Sequence, residues 1–218
     1  MPVTVGDIIT GARKILNDND EVRWSNADLI LWLNDCYSVL PSVKPSECTF
    51  GEELTLVEGT KQTVPDDAER LIDITHNIAG DMGAIGVISR KELNDTLPGW
   101  HAEDKTESIE RYVFDEMAPK EFFVYPPALN TAKVYAYVVK TPDSHSRIFA
   151  ISEDLQISVK DSLSPMLIDY ILFRAFSIDA DNATYANRSA MHLNSFNMQA
   201  DAGFKLEFAT SPNVGSSQ

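Results

Sequence analysis

The sequence predicts an α+β protein: a helical bundle formed by N-terminal and C-terminal helices, with an antiparallel β-rich subdomain inserted between them. Three observations carry this. Two capped, amphipathic helix patterns open the chain, period-two patterns with turn residues fill its middle, and helical periodicity returns late. The boundaries that follow are a discontinuous helical core at residues 1–45 and 155–203, an inserted β-rich part at 46–154 and a C-terminal tail at 204–218.

Thr4 with Asp7 three residues on forms a capping-box start, after which Ile8, Ile9, Ala12, Ile15 and Leu16 mark one helix face. The loop NDNDEVRW follows. Its Asp18, Asp20 and Glu21 invite a calcium reading, but Val22 stands where a ligand is required and no glycine follows, so a solvated turn is the favoured reading. Ser25 and Asp28 repeat the capping device; Leu29, Trp32, Leu33, Cys36 and Leu40 give the second helix its stripe, and Pro41 is expected to end it.

The period then changes. Leu54–Val57, the turn at Glu58-Gly59 and Thr60–Val64 predict a hairpin, while Arg70–Ile74 fits a strand or a helical turn. Gly80, Gly83 and Gly86 are spaced by three, which is not a dinucleotide-binding fingerprint. A strand is expected over Ile85–Ser89, a helical turn over Lys91–Asn94, and a strand pair over Arg111–Asp115 and Glu121–Tyr125, closed by Pro126-Pro127. Lys133–Lys140 alternates, with Val134, Ala136 and Val138 on one face and Tyr135, Tyr137 and Val139 on the other.

The stretch from Lys160 to Ala180 predicts the central helix, capped by Asp161 or Ser162, with Pro165 in its first turn. Leu167, Tyr170, Ile171 and Phe173 belong to a surface apolar nearly all round, interrupted only by Asp169, Arg174 and Ser177, so other helices of this chain or another copy must cover it. A last helix from Ala183 carries Ala186, Ala190, Leu193, Phe196 and Ala200. Phe204, Leu206 and Phe208 then alternate with Lys205 and Glu207. That pattern suits a strand added to a partner's sheet, or a fraying continuation of the helix.

Composition narrows the function. With 18 basic and 33 acidic residues the net charge is -15, which argues against sequence-specific nucleic-acid binding and fits a soluble surface or a wall that DNA slides past. Two cysteines make neither a disulfide framework nor a zinc site. The N-terminus has no basic and apolar leader pattern, and no stretch suits a membrane span; the expectation is a protein made in a cytoplasm. No motif of a nucleotide site, zinc hydrolase or nucleophile elbow occurs, and the histidines at 76, 101, 145 and 192 are scattered. Asp66, Asp67 and Glu69 form an acid cluster, and Ser144-His145-Ser146 mimics a nucleophile pair by adjacency alone. No enzyme, cofactor or metal is expected.

Several segments taken in order, VTVGDIITGARKILND, VRWSNADLILWLND, RYVFDEMAPKEFFVYPP, KVYAYVV and IDYILFRAFSIDADNATYANRSAMH, resemble the head-to-tail adaptor (connector) proteins of tailed bacteriophages, podophages in particular. The resemblance implies a homododecameric ring at the virion's head-tail junction, assembled in the host bacterial cytoplasm. Its partners would be the portal protein above and a tail nozzle or tail tube protein below, with DNA passing through the ring. Carried onto this sequence it makes Phe204, Leu206 and Phe208 portal-docking candidates. It makes Tyr112, Phe114, Phe122, Tyr125, Tyr135 and Tyr137 candidates for contacts with the tail or a neighbour. The competing readings are a small module whose Tyr-rich sheet binds a glycan or protein ligand, and a hydrolase using the clustered acids.

Overall fold

The computed structural model describes residues 2–78, 82–115, 117–147, 155–178 and 182–210, with side chains up to 201. The chain divides into two compact units, one from residues 1–47 and 142–218, the other from Cys48–Thr141.

The first unit is helical. Helices α1 (Val5–Leu16) and α2 (Asn26–Val43) both begin with complete capping boxes, Thr4 with Asp7 and Ser25 with Asp28. Asn17 ends α1 in the left-handed conformation, at φ 55°. Ile15, expected inside, is 50 % exposed. Pro41 does not end α2, which runs on to Val43. Proline's missing N–H costs one bond in the last turn, its ring is buried, and Lys44 N–H still reaches the Leu40 carbonyl at 2.8 Å.

Helix α4 (Ser164–Ser177) is covered by α1, α2 and α5 (Ala183–Thr210), so this chain supplies the wrapping that its apolar surface requires. Leu167 and Ile171 are fully buried, Tyr170 is 8 % exposed, and Phe173 is half-buried. A Cβ on Gly11 would stand 3.0 Å from the Ile168 side chain, so α1 approaches α4 closely where it has no side chain. Neither Asp161 nor Ser162 caps α4. They lie in a 3-10 turn (Asp161–Leu163), and Asp161 instead accepts the Val3 N–H at 3.1 Å, tying down the N-terminus.

The second unit holds two packed sheets, β1 (Thr49–Thr55), β7 (Lys133–Lys140) and β3 (Ala68–Asn77) in the order β1-β7-β3, and β2 (Gly59–Thr63), β6 (Glu121–Ala128), β5 (Arg111–Phe114) and β4 (Gly86–Val87) in the order β2-β6-β5-β4. All pairs are antiparallel except β4 with β5. The core between the sheets includes Leu54, Leu71, Ile74, Tyr112, Phe122, Val134, Ala136 and Val138. Helix α3 (Arg90–Thr96) and the turn at Trp100–Ala102 form a second cluster around Leu93, Trp100 and Val113.

The expected hairpin of β1 with β2 does not form; they pair with β7 and β6 in different sheets. Gln62 of β2 is buried, 2 % exposed. Its amide accepts from Val57 N–H at 2.8 Å and donates to the Val57 and Gly59 carbonyls, a side-chain plug in the connection between the two strands. The strand at 85–89 contracts to Gly86–Val87. Strand β6 continues through Pro126-Pro127 to Ala128, because prolines keep their acceptors: the Pro127 carbonyl takes the Thr106 N–H at 2.9 Å. Residues 204–208 continue α5, the helical one of the two expectations for that stretch.

Candidate assembly surfaces

Each group of chemistry-bearing residues has a structural assignment. On α4, the interruptions at Asp169, Arg174 and Ser177 are anchors. Asp169 accepts from Ser195 Oγ at 2.6 Å and Gln199 Nε2 at 2.8 Å, and its other oxygen lies 2.8 Å from His192 Nδ1. The His192 ring stacks on Phe176, with centroids 5.8 Å apart. Arg174 pairs with Asp35 of α2 at 3.1 Å. An aspartate, a histidine and a serine thus meet, but the carboxylate stands in the middle. A nucleophilic triad needs the imidazole between serine and carboxylate, so this group clamps α5 to α4 and is not wired for attack. Together with Ser189 and Phe196, it turns the packed face of α5 away from Ala190, which is exposed.

His145 Nε2 stands 3.4 Å from Ser158 Oγ, but that hydroxyl donates its proton to the Asp143 carbonyl at 2.7 Å and so is not held for deprotonation by the ring. The same ring nitrogen stands 3.2 Å from the Tyr37 hydroxyl, which accepts the Ser158 N–H at 3.2 Å. The Asn34 side chain pairs with the backbone of His145 through two bonds of 2.8 Å. The segment after the β unit is thereby strapped to α2. Burial lowers the pKa of His145 from 6.5 against the opposing pull of Asp143, and burial pushes the Tyr37 hydroxyl up to about 12. A histidine depressed in the folded state takes up its proton more readily when unfolded. Its contribution is therefore intact above the unfolded pKa of 6.5 and is lost as pH falls through the lower folded value. His145→Gln is expected to flatten the loss of melting temperature between neutral and mildly acid pH. An unchanged slope would remove this residue from the account.

The loop after α1 is exposed at Asn17, Asn19, Asp20, Glu21, Val22 and Arg23, as a solvated turn would be, and Asp18 is its exception. Asp18 is 8 % exposed and binds Arg13 Nη1 at 3.1 Å, Arg23 N–H at 3.0 Å and Trp24 N–H at 3.0 Å. Burial raises its pKa, but the two backbone amides and the Arg13 charge outweigh that, and the net shift is downward. Sequence reasoning missed Arg13. The available signal was its place four residues after Ile9, on the inward face, where a charge demands a partner.

In the β unit the acid cluster is divided among separate bonds. Lys140 bridges Asp67 and Glu52, each at 2.8 Å, and its hydrogen bond holds the Asp67 carboxyl below the usual range, opposite to what a general acid needs. Thr141 binds Glu69 at 3.3 Å, and among the described residues no group of His, Cys, Asp or Glu is placed to hold a metal ion. The candidate contact residues do not form one face. Tyr112 and Phe122 are core, 5 % and 1 % exposed, with the Tyr112 hydroxyl donating to Asp73 at 2.8 Å. Phe114 is partly buried against that core, and Tyr125 packs beside Trp100 on the far side of the second sheet. Tyr135 and Tyr137 share the outer side of the first sheet. Tyr135 stacks on His76 at 5.5 Å and lies over Gly51, where a Cβ would collide with its hydroxyl, while Tyr137 is 39 % exposed. The side chains of Phe204, Leu206 and Phe208 lie outside the described residues.

Among the described residues no helix is long and apolar enough to cross a membrane. A search of curated proteins finds no match. Residues 3–213 match the SU10 adaptor protein family, which spans the helical unit and the inserted sheets alike. The chain belongs to that family and is a phage head-to-tail adaptor, a structural component of the virion that associates with portal and tail.

Proposed function

We propose that copies of this chain form a ring, twelve-fold in the virion, that joins the portal protein to the tail nozzle or tail tube protein and surrounds the path of DNA. The family match over residues 3–213 is the observation that carries this reading. The net charge of -15 agrees with it, because an acidic wall repels phosphates and lets DNA pass without sticking. The protein acts by holding partners together and not by catalysis. The C-terminal part, Phe204, Leu206 and Phe208 included, is the portal-docking segment, carried at the end of a helix that runs to Thr210. A Tyr-rich ligand platform is the weaker reading, since Tyr112 is core and the other tyrosines are divided between two sheets.

Native mass, taken on the protein alone and then with purified portal rings, tests this. The expected result is a monomer that assembles as a ring on the portal. Removing residues 203–218 is expected to abolish that binding while leaving the melting temperature unchanged, since Phe196 and Ala200, the packed residues near that end, are retained. A protein indifferent to portal rings would overturn the reading, and portal binding that survives the truncation would overturn the docking assignment.

A further inference from the structure

We propose that the outward stripe of α5 formed by Asn187, Ala190, Met191, Asn194 and Met198 is a seam on which a second copy of this chain packs. This rests on the ring reading above and locates one of its contacts. The inward face of the helix is already engaged by the Asp169 clamp and by Phe196 and Ala200. The stripe lies beside that face, its residues three and four apart along successive turns, and with the clamp residues Ser195 and Gln199 at its edge it lines a shallow apolar depression. Met191 is 59 % and Met198 72 % exposed.

The charge pattern selects the occupant. From Ser189 to Ala200 there is no Asp, Glu, Lys or Arg, although 23 % of the chain is charged. Exposed helix faces ordinarily carry charge, as α3 does with Arg90, Lys91, Glu92 and Asp95. Copies that each carry -15 repel one another, and an uncharged stripe provides a place where they can meet without opposing like charges. Its chemistry is also self-compatible. Asparagine amides both donate and accept, so Asn187 and Asn194 have partners in any surface that exposes similar groups. Methionine adapts its shape to an imperfect neighbour, and Ala190 permits close approach.

The test uses the full chain assembled on portal rings. The double variant Met191→Glu and Met198→Glu should raise the concentration needed for ring formation by on the order of tenfold or more. Met117→Glu, at a position 93 % exposed in the β unit, should leave it unchanged. A photo-crosslinking residue at Asn194 should join one copy to another. Rings that form normally from the double variant, or crosslinks that reach only the portal protein, would overturn the seam while leaving the ring reading intact. Wild-type protein that never forms a ring would overturn both. If the double variant fails to fold, the crosslink decides the question by itself.

Discussion

Replacing Asp18 by asparagine is expected to destabilise the protein by about 3 kcal/mol, the lower part of the range for breaking a buried ion pair, because the pair lies beneath a surface loop. The carboxylate takes the N–H groups of Arg23 and Trp24 and one arm of Arg13, whose side chain is 6 % exposed. An asparagine supplies one acceptor and turns an amide donor toward groups that are themselves donors, leaving the guanidinium with only the half-exposed Glu21, 3.8 Å away, as counter-charge. The Asp18 pKa is depressed on folding, so its stabilisation is complete above the unfolded value of about 3.9 and disappears as pH falls through the folded one. Wild type and variant should therefore converge in acid. Urea unfolding across pH measures both effects. A loss under about 0.5 kcal/mol, the usual cost of a surface change, would mean that Asp18 behaves like the exposed residues around it.

Phe122→Ala should cost about 3–5 kcal/mol, the range for truncating a buried aromatic. Phe122 is 1 % exposed on β6 and packs in the intersheet core with Leu54, Leu71 and Tyr112. If it acted mainly as a contact with tail or neighbour, the change would spare stability and affect binding alone. Tyr137→Ala, at 39 % exposure, is the informative control, expected to stay within about 1 kcal/mol. Chemical denaturation of both variants separates a core role from a surface one; equal, small losses would mean that Phe122 is not a core residue.

The difference between these two residues shows where sequence reasoning stopped. Alternation in Lys133–Lys140 identifies two faces and correctly groups Val134, Ala136 and Val138, all fully buried. It cannot say which aromatic on β5 or β6 faces another sheet, because both faces of the second sheet are covered, one by the first sheet and one by the cluster around Trp100. Strand β3 was ambiguous for a visible reason. Its inward residues Ala68, Leu71, Ile74 and Asn77 come every third position because the ladder to β7 is interrupted repeatedly by irregularities, so neither period two nor period 3.6 fits. The α4–α5 contact was hidden differently. Its anchors, Asp169, His192, Ser195 and Gln199, are polar, and an apolar stripe search places Ala190 inward when it is exposed.

By itself the sequence determined what local chemistry dictates. It gave the two capping boxes, the over-apolar central helix and its need for cover, strands at Arg111–Asp115, Glu121–Tyr125 and Lys133–Lys140 that the structure holds with shifted ends, and an acidic chain with the segment order of a phage adaptor. Caps and periodicity are set by residues within a turn or two of one another, so they are legible without the fold. Only the tertiary structure decided that α1, α2 and α5 of the same chain cover α4, that β1 and β2 part into different sheets around Gln62, and that Asp18 holds a buried Arg13. Each of those depends on which distant or buried group satisfies a charge, an amide or an apolar face, and burial is a property of the assembled molecule rather than of any stretch of its chain.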